Sequence, residues 1–170
     1  MFRILLSFAL AAVFAIERAP AQFAAFQPFG QGCTVSGLPM PTIGATGLPQ
    51  VGTTFSIDFT GPNRATWPTE LHPVFMFGLS TTNYPLDGLF NSQPAGCTLY
   101  LVPEMFLLMG PGAGIGYATS VSLPVPNNFG LVGFSFVAQW CVLSQTCLVG
   151  VPCNVNAVLT SDAATVTVGI

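Results

Sequence analysis

The chain has 170 residues and a net charge of −3, and only 5% of its side chains are charged, against about 25% in ordinary globular proteins. Three Lys and Arg residues are too few for a phosphate-binding surface, so a nucleic-acid partner is disfavoured. The 51% hydrophobic content argues against a disordered chain, and the 18 Gly and 15 Pro indicate many turns between short segments rather than a helical bundle.

The first 21 residues are typical of a cleaved export signal. Arg3 supplies positive charge, residues 4–16 are almost wholly apolar, and residues 19–21 (Ala-Pro-Ala) place small side chains where a signal peptidase reads them. The apolar run has about thirteen residues, whereas a membrane-spanning helix needs roughly twenty. We therefore predict a signal peptide over 1–21, a secreted or cell-surface location, one domain over 22–170, and no membrane span in the mature chain.

Two segments alternate apolar and polar side chains, as a β-strand with one wet face does. In residues 53–60, Phe55, Ile57 and Phe59 alternate with polar residues. Residues 115–123 show the same period of two. Both segments are predicted strands.

Three apolar runs, at 74–79, 99–102 and 131–143, predict strands that are buried on both faces. The last run keeps a trace of alternation, which places Trp140 on one face with Phe134, Phe136 and Ala138. Trp140 is therefore expected in the core.

The chain is predicted to end in a hairpin, with strands at 155–160 and 164–170 and a tight turn at Ser161-Asp162. Residues 104–109 could form one helical turn. Turn signals recur roughly every eight to fifteen residues. Seven to nine short strands at that spacing predict an all-β fold: an antiparallel β-sandwich, Greek-key or jelly-roll-like, stapled by disulfides.

The five cysteines of an exported chain are expected to form disulfides. Cys33 and Cys97 both follow glycine, and a bond between them would close a loop of about 64 residues, worth about 4 kcal/mol. Cys147 with Cys153 is the second predicted pair. Cys141 is then left free, or it replaces Cys147 in that bond.

Residues 23–52 carry few strand signals. We expect this N-terminal arm to depend on the bond from Cys33 to Cys97, which precedes the rigid apolar strand at 99–102.

Eight short motifs, in this order, resemble a family of secreted proteins and C-terminal modules that is abundant in Planctomycetes and related bacteria. They are Phe29-Gly30-Gln31-Gly32-Cys33, Pro41-Thr42-Ile43-Gly44, Gly47-Leu48-Pro49-Gln50-Val51-Gly52, Gly78-Leu79-Ser80, Gly96-Cys97-Thr98-Leu99, Leu123-Pro124-Val125-Pro126-Asn127, Gly133 through Phe136 to Gln139-Trp140, and Val166-Thr167-Val168-Gly169. The resemblance implies a β-rich exported module of unassigned activity, without catalytic residues to carry over. Cys141, Cys147 and Cys153 look like additions to the family pattern.

The residues themselves offer little catalytic chemistry. His72 is the only histidine, no serine lies in a Gly-x-Ser-x-Gly turn, and the acids are scattered singly. The cysteine spacing does not suit zinc, and the glycines of residues 110–116 fit no phosphate-binding loop. We predict no enzyme, no cofactor and no catalytic or metal-binding residues.

Aromatic side chains in loop-like stretches are the best candidates for ligand contact. Trp67 and Tyr84 could stack on a sugar ring, which would suit a polysaccharide partner.

The sequence therefore favours an exported structural or adhesive module, whose low charge permits self-association or packing on the cell envelope. A carbohydrate-binding module is the alternative. An outer-membrane β-barrel and a hydrolase are less favoured.

Overall fold

The computed structural model describes residues 23–35, 38–62, 69–109, 117–146 and 154–170. Within these ranges the protein is all-β, with ten strands and a short 3₁₀ helix at Phe129–Leu131. The strands are β1 (Ala25–Phe29), β2 (Thr42–Thr46), β3 (Thr54–Gly61), β4 (Thr69–Gly78), β5 (Thr81–Pro85), β6 (Thr98–Leu101), β7 (Met105–Leu108), β8 (Tyr117–Pro124), β9 (Ser135–Thr146) and β10 (Asn154–Thr167). The count exceeds the seven to nine predicted, and the helical turn suggested for 104–109 is wrong because that segment forms β7.

The described strands form three sheets whose neighbours all pair antiparallel. A five-stranded sheet has the order β1-β10-β9-β4-β7, a three-stranded sheet has the order β2-β3-β8, and β5 pairs with β6. The predicted all-β antiparallel fold is confirmed. None of the described residues forms a helix long and apolar enough to cross a membrane.

The three-stranded sheet packs on one face of the five-stranded sheet, which we call the inner face. Phe55, Ile57 and Phe59 on β3 are all buried, as their alternation predicted. The ring of Phe59 lies 5.3 Å from that of Trp140 on β9. Phe75 on β4 packs on the same indole at 5.1 Å. These side chains form the core between the two sheets.

The opposite, outer face of the five-stranded sheet is also covered. Successive side chains of a strand point to opposite faces, so Gln139 and Cys141 lie on the outer face while Ala138 and Trp140 lie on the inner one. All four are buried. The apolar run in this part of the chain is therefore a strand buried on both sides, as predicted.

That strand begins later than predicted. Residues 129–131 form the 3₁₀ helix, and β9 starts only at Ser135. Asn128 caps the helix by accepting a hydrogen bond from the amide of Gly130 at 2.9 Å. Phe134 precedes β9 and is 42% exposed, so it is not a core residue.

Residues 81–103 cover much of the outer face, and we call them the cover segment. It contains β5, β6 and the turns between them. Both ends of the cover segment lie beside the end of β4. The amide of Val102 donates to the carbonyl of Ser80 at 3.0 Å, and the amide of Glu104 donates to the carbonyl of Phe77 at 2.9 Å. The five-stranded sheet is thus the middle layer of three.

The N-terminal arm is more regular than predicted. All of β1 pairs with β10, from Ala25 opposite Thr167 to Phe29 opposite Ala163, and β2 pairs along its whole length with β3. The expectation that the arm has little strand structure is wrong. Its strands hold Pro, Gly and Gln, which weaken the local pattern, but tertiary pairing overrides that weakness.

The predicted closing hairpin is also wrong, because β10 is one continuous strand. It pairs with β9 throughout, with register shifts between Val155 and Ala157 and between Thr160 and Ala163. The second shift is a β-bulge that contains Ser161 and Asp162, the residues predicted to turn.

Candidate functional site

The cover segment is held to the sheet by the predicted cysteine pair. Cys33 and Cys97 are bonded, with their Cα atoms 4.9 Å apart. The Cys33 amide donates to the carbonyl of Thr160 at 2.8 Å, and the Thr160 amide donates to Sγ of Cys33 at 3.2 Å. A Cβ on Gly32 would lie 2.8 Å from that same Thr160 carbonyl oxygen, so only glycine fits before Cys33. The disulfide therefore fastens the cover segment to β10.

Gln139 makes the second link between the cover segment and the sheet. Its Oε1 accepts from the amide of Tyr100 at 2.9 Å, and its Nε2 donates to the carbonyls of Thr98 at 3.0 Å and Ser161 at 2.9 Å. One buried amide thereby joins β6, β9 and the bulge of β10. Leaving these backbone groups unpaired would cost about 1–3 kcal/mol each. The Gln139-Trp140 motif thus has a structural role on each face.

Gln93 makes the third link. Its Nε2 donates to the carbonyl of Val158 at 2.8 Å, and its Oε1 accepts from the Val158 amide at 3.0 Å. The amide of Ser92 next to it donates to the carbonyl of Asn156 at 3.1 Å. These bonds hold the turn between β5 and β6 beside the start of β10.

The bulge of β10 connects the layers through polar side chains. Ser161 Oγ accepts from the amide of Trp140 at 3.0 Å and donates to the carbonyl of Asp162. Oδ1 of Asp162 accepts from the amide of Ile43 on β2 at 3.0 Å. The bulge thus bridges the five-stranded and three-stranded sheets, which explains the polar residues Ser161 and Asp162 at this point of β10.

Between these links an apolar groove of about 620 Å³ remains open between the cover segment and the outer face. Its floor is buried, whereas Leu89, Phe106 and Leu108 at its rim are more than half exposed. The groove is lined by Val74, Met76, Leu86, Leu89, Phe90, Leu99, Pro103, Phe106, Leu108, Cys141, Leu143 and Val158.

Strand β7 forms one wall of this groove and also an edge of the sheet. Its four apolar side chains, Met105 to Leu108, are between 46% and 64% exposed. Phe106 pairs with Met76 and Leu108 with Val74, which puts these side chains on the groove side. Met105 and Leu107, opposite Phe77 and Phe75, point to the inner-face side. The sequence did not predict this strand, because its four residues are all apolar and show no alternation.

Cys141 lies on the floor of the groove, forms no disulfide, and is buried. Its Sγ is 3.9 Å from Sδ of Met76. Burial raises the pKa of the Cys141 thiol to about 12. The thiol therefore stays protonated and behaves as an apolar wall atom rather than as a nucleophile.

Of the remaining predicted site residues, only Tyr84 belongs to the described part of the chain. Tyr84 lies on β5, opposite Leu99, and is 53% exposed. Trp67, Cys147 and Cys153 lie outside the described residues, as do residues 1–21.

The other tyrosines pack against phenylalanines instead of forming a platform. The ring of Tyr100 meets that of Phe29 edge-on at 5.8 Å, and that of Tyr117 lies 6.1 Å from Phe59. Of the three tyrosines, Tyr84 is therefore the candidate for stacking on a sugar ring.

Three of the acids are used in local structure. Asp58 accepts from Oγ1 of Thr46 at 2.7 Å and Asp87 from the amide of Gly96 at 3.0 Å, while Asp162 lies in the bulge. Among the residues that the structure describes, no group of three or more His, Cys, Asp or Glu side chains could hold a metal ion. The distinctive surface features are the groove and the apolar edge, not a polar cluster.

Comparisons of the chain with models of protein families, with curated proteins and with solved structures found no match. The function is therefore inferred from the chemistry of the groove and of β7.

Proposed function

We propose that this chain is an exported structural or adhesive module of the cell exterior, without catalytic activity, that attaches to its surroundings through β7. The single observation that carries the proposal is the exposure of all four apolar side chains of this strand.

Edge strands of natural sheets are usually protected by charge, proline or a covering segment, because unpaired backbone groups recruit further strands. Strand β7 pairs with β4 on one side, and no strand pairs with its other side among the described residues. Met105–Leu108 contains neither a charge nor a proline. A strand from a second copy of the chain could pair there, and its side chains would cover the exposed apolar ones.

The low charge of the chain supports the same function. Residues 22–170 contain one base and five acids, for a net charge of −4. Little electrostatic repulsion then opposes contact between copies or with an envelope surface. The export signal predicted for residues 1–21 would bring the module to that surface.

The test replaces Leu107, which is 46% exposed on β7 and does not line the groove, by lysine. The matched control is Leu48→Lys, at a 51% exposed site between β2 and β3. Self-association is measured by sedimentation over a concentration series, and attachment by pull-down with cell-envelope fragments. We expect Leu107→Lys to weaken association or attachment about tenfold or more, while Leu48→Lys leaves both unchanged. A wild-type chain that stays monomeric and binds no envelope material overturns the proposal.

A carbohydrate-binding module is the second candidate, and the exposure of Tyr84 favours it. Retention on insoluble polysaccharides is the measurement. Under this alternative, Tyr84→Ala or Trp67→Ala abolishes retention and leaves the free energy of unfolding unchanged. Equal retention of both variants and the wild type excludes a role for these two rings.

A further inference from the structure

We infer that the groove between the cover segment and the outer face binds a hydrocarbon chain, such as the acyl chain of a fatty acid or lipid. This ligand site shares strand β7 with the adhesive edge proposed above: Phe106 and Leu108 line the groove, whereas Leu107 does not.

The shape of the groove is that of a small-molecule site. Its volume of about 620 Å³ falls within the usual range of ligand pockets, roughly 300–1,000 Å³. Val74, Met76 and Cys141 on the floor are nearly inaccessible to solvent, while the rim at Leu89 and Phe106 is open. A ligand could therefore bury one end and leave the other in water.

The lining chemistry selects a hydrocarbon. All twelve lining side chains are apolar or carry sulfur, and none bears a charge, a hydroxyl group or an amide. An unpaired polar group buried there would lose roughly 2–7 kcal/mol of hydration. A sugar or a charged headgroup is thereby excluded from the floor. A hydrocarbon chain would instead gain about 25 cal/mol for each Å² of apolar surface removed from water.

The links that hold the cover segment leave this space open. The disulfide of Cys97 and the bonds of Gln139 and Gln93 fix the segment at separate points. The walls are therefore set before a ligand enters, which lowers the entropy cost of binding.

The neutral fluorophore N-phenyl-1-naphthylamine, whose emission rises in apolar sites, is the probe. We expect saturable binding at one site per chain, and displacement by both dodecanoate and phosphatidylcholine if the acyl chain alone is recognised. If dodecanoate alone displaces the probe, the ligand is a free fatty acid. If phosphatidylcholine alone displaces it, the ligand is a lipid. Absence of saturable binding, or displacement by neither competitor, overturns the inference.

Substitutions locate the bound probe. Leu89→Asp puts a carboxylate at the rim, at a 52% exposed site where folding is not at risk, and Leu48→Asp is the control at 51% exposure. We expect Leu89→Asp to weaken probe binding about tenfold or more, and Leu48→Asp to leave it within about twofold. Equal affinity of the two variants overturns the assignment to this groove.

The same assays distinguish the ligand site in the groove from the adhesive role proposed for β7. Leu107→Lys should retain full probe binding even where it abolishes self-association. If probe affinity falls as the protein concentration rises, a second copy of the chain occupies the groove, and the ligand site is refuted. If Leu107→Lys leaves association intact but the probe still binds, the adhesive proposal fails and the groove stands.

Discussion

The two faces of the five-stranded sheet are covered in different ways. On the inner face, the rings of Phe59 and Phe75 lie 5.3 and 5.1 Å from that of Trp140, and apolar side chains fill the space between two sheets. On the outer face, the cover segment is fastened at a few points, by a disulfide and by the side-chain amides of Gln93 and Gln139. Continuous packing leaves no room for a ligand, whereas point fastening leaves the groove.

This difference in packing gives the inner face a role in stability and the outer face a role in binding. Burial of large rings against each other supplies stability. Fastening by hydrogen bonds and one covalent bond fixes geometry while exposing apolar walls, which is what a binding site needs. Changes on the inner face should therefore alter stability, and changes at the rim of the outer face should alter binding.

The largest effect is expected at Trp140, the fully buried centre of the inner face. Trp140→Ala should lower the free energy of unfolding by about 3–5 kcal/mol, because an emptied aromatic site leaves a cavity. Urea denaturation measures the loss. Trp140→Phe is the control, and it should lose less because Nε1 of Trp140 has no hydrogen-bond partner among the described residues. A Trp140→Ala variant as stable as the wild type contradicts the two-sheet core.

The second effect is expected at the disulfide on the outer face. Replacing Cys33 and Cys97 together by alanine opens a loop with a sequence separation of 64 and should cost about 4 kcal/mol. Hydrogen exchange followed by mass spectrometry should show the cover segment opening before β9, because hydrogen bonds such as those of Gln93 and Gln139 and the packing of side chains such as Leu101 are then its remaining links.

Cys141→Ala, which removes a cysteine that forms no disulfide, is the control for that experiment. It should leave exchange in the cover segment unchanged. Simultaneous opening of both faces in the double variant would mean that the cover segment and the inner core are one cooperative unit.

The parts of the fold that the sequence predicted are those set by local patterns. The alternation of Phe55, Ile57 and Phe59 exists because β3 has one face on the core, and alternation can be seen in a single segment. The Cys33–Cys97 pair was predicted from similar Gly-Cys contexts and from the stability of a long loop. A local pattern was sufficient for the strand, and two similar short motifs with a loop-length argument were sufficient for the cysteine pair.

The predictions were wrong where contacts between distant segments determine the structure. Ser161 and Asp162 look like a turn in isolation, but they bond to Trp140 and Ile43, more than twenty residues away in sequence, and remain in a strand. The groove is built from the cover segment, β4, β7, β9 and β10, which only the sheet order brings together. No single stretch of sequence contained that information.

The smallest effect concerns the floor of the groove and the pH dependence of stability. Burial raises the pKa of the Cys141 thiol from 9.0 to about 12 in the folded chain. Below about pH 9 the thiol is protonated in both the folded and the unfolded state, so its contribution to stability is fully present. As the pH rises from 9 towards 12, the unfolded chain loses this proton while the folded chain keeps it.

The free energy of unfolding should therefore fall by about 1.4 kcal/mol for each pH unit in that window because of this one group. Chemical denaturation at about pH 8 and about pH 10 measures the fall, and Cys141→Ala provides the reference because every other titrating group is shared. We expect the wild type to lose about 1.4 kcal/mol more than Cys141→Ala between these two pH values. Equal losses would mean that water reaches the thiol and that the groove floor is hydrated. An apolar chain would then find a wet floor, so this comparison also tests whether the outer face offers the dry site that the ligand requires.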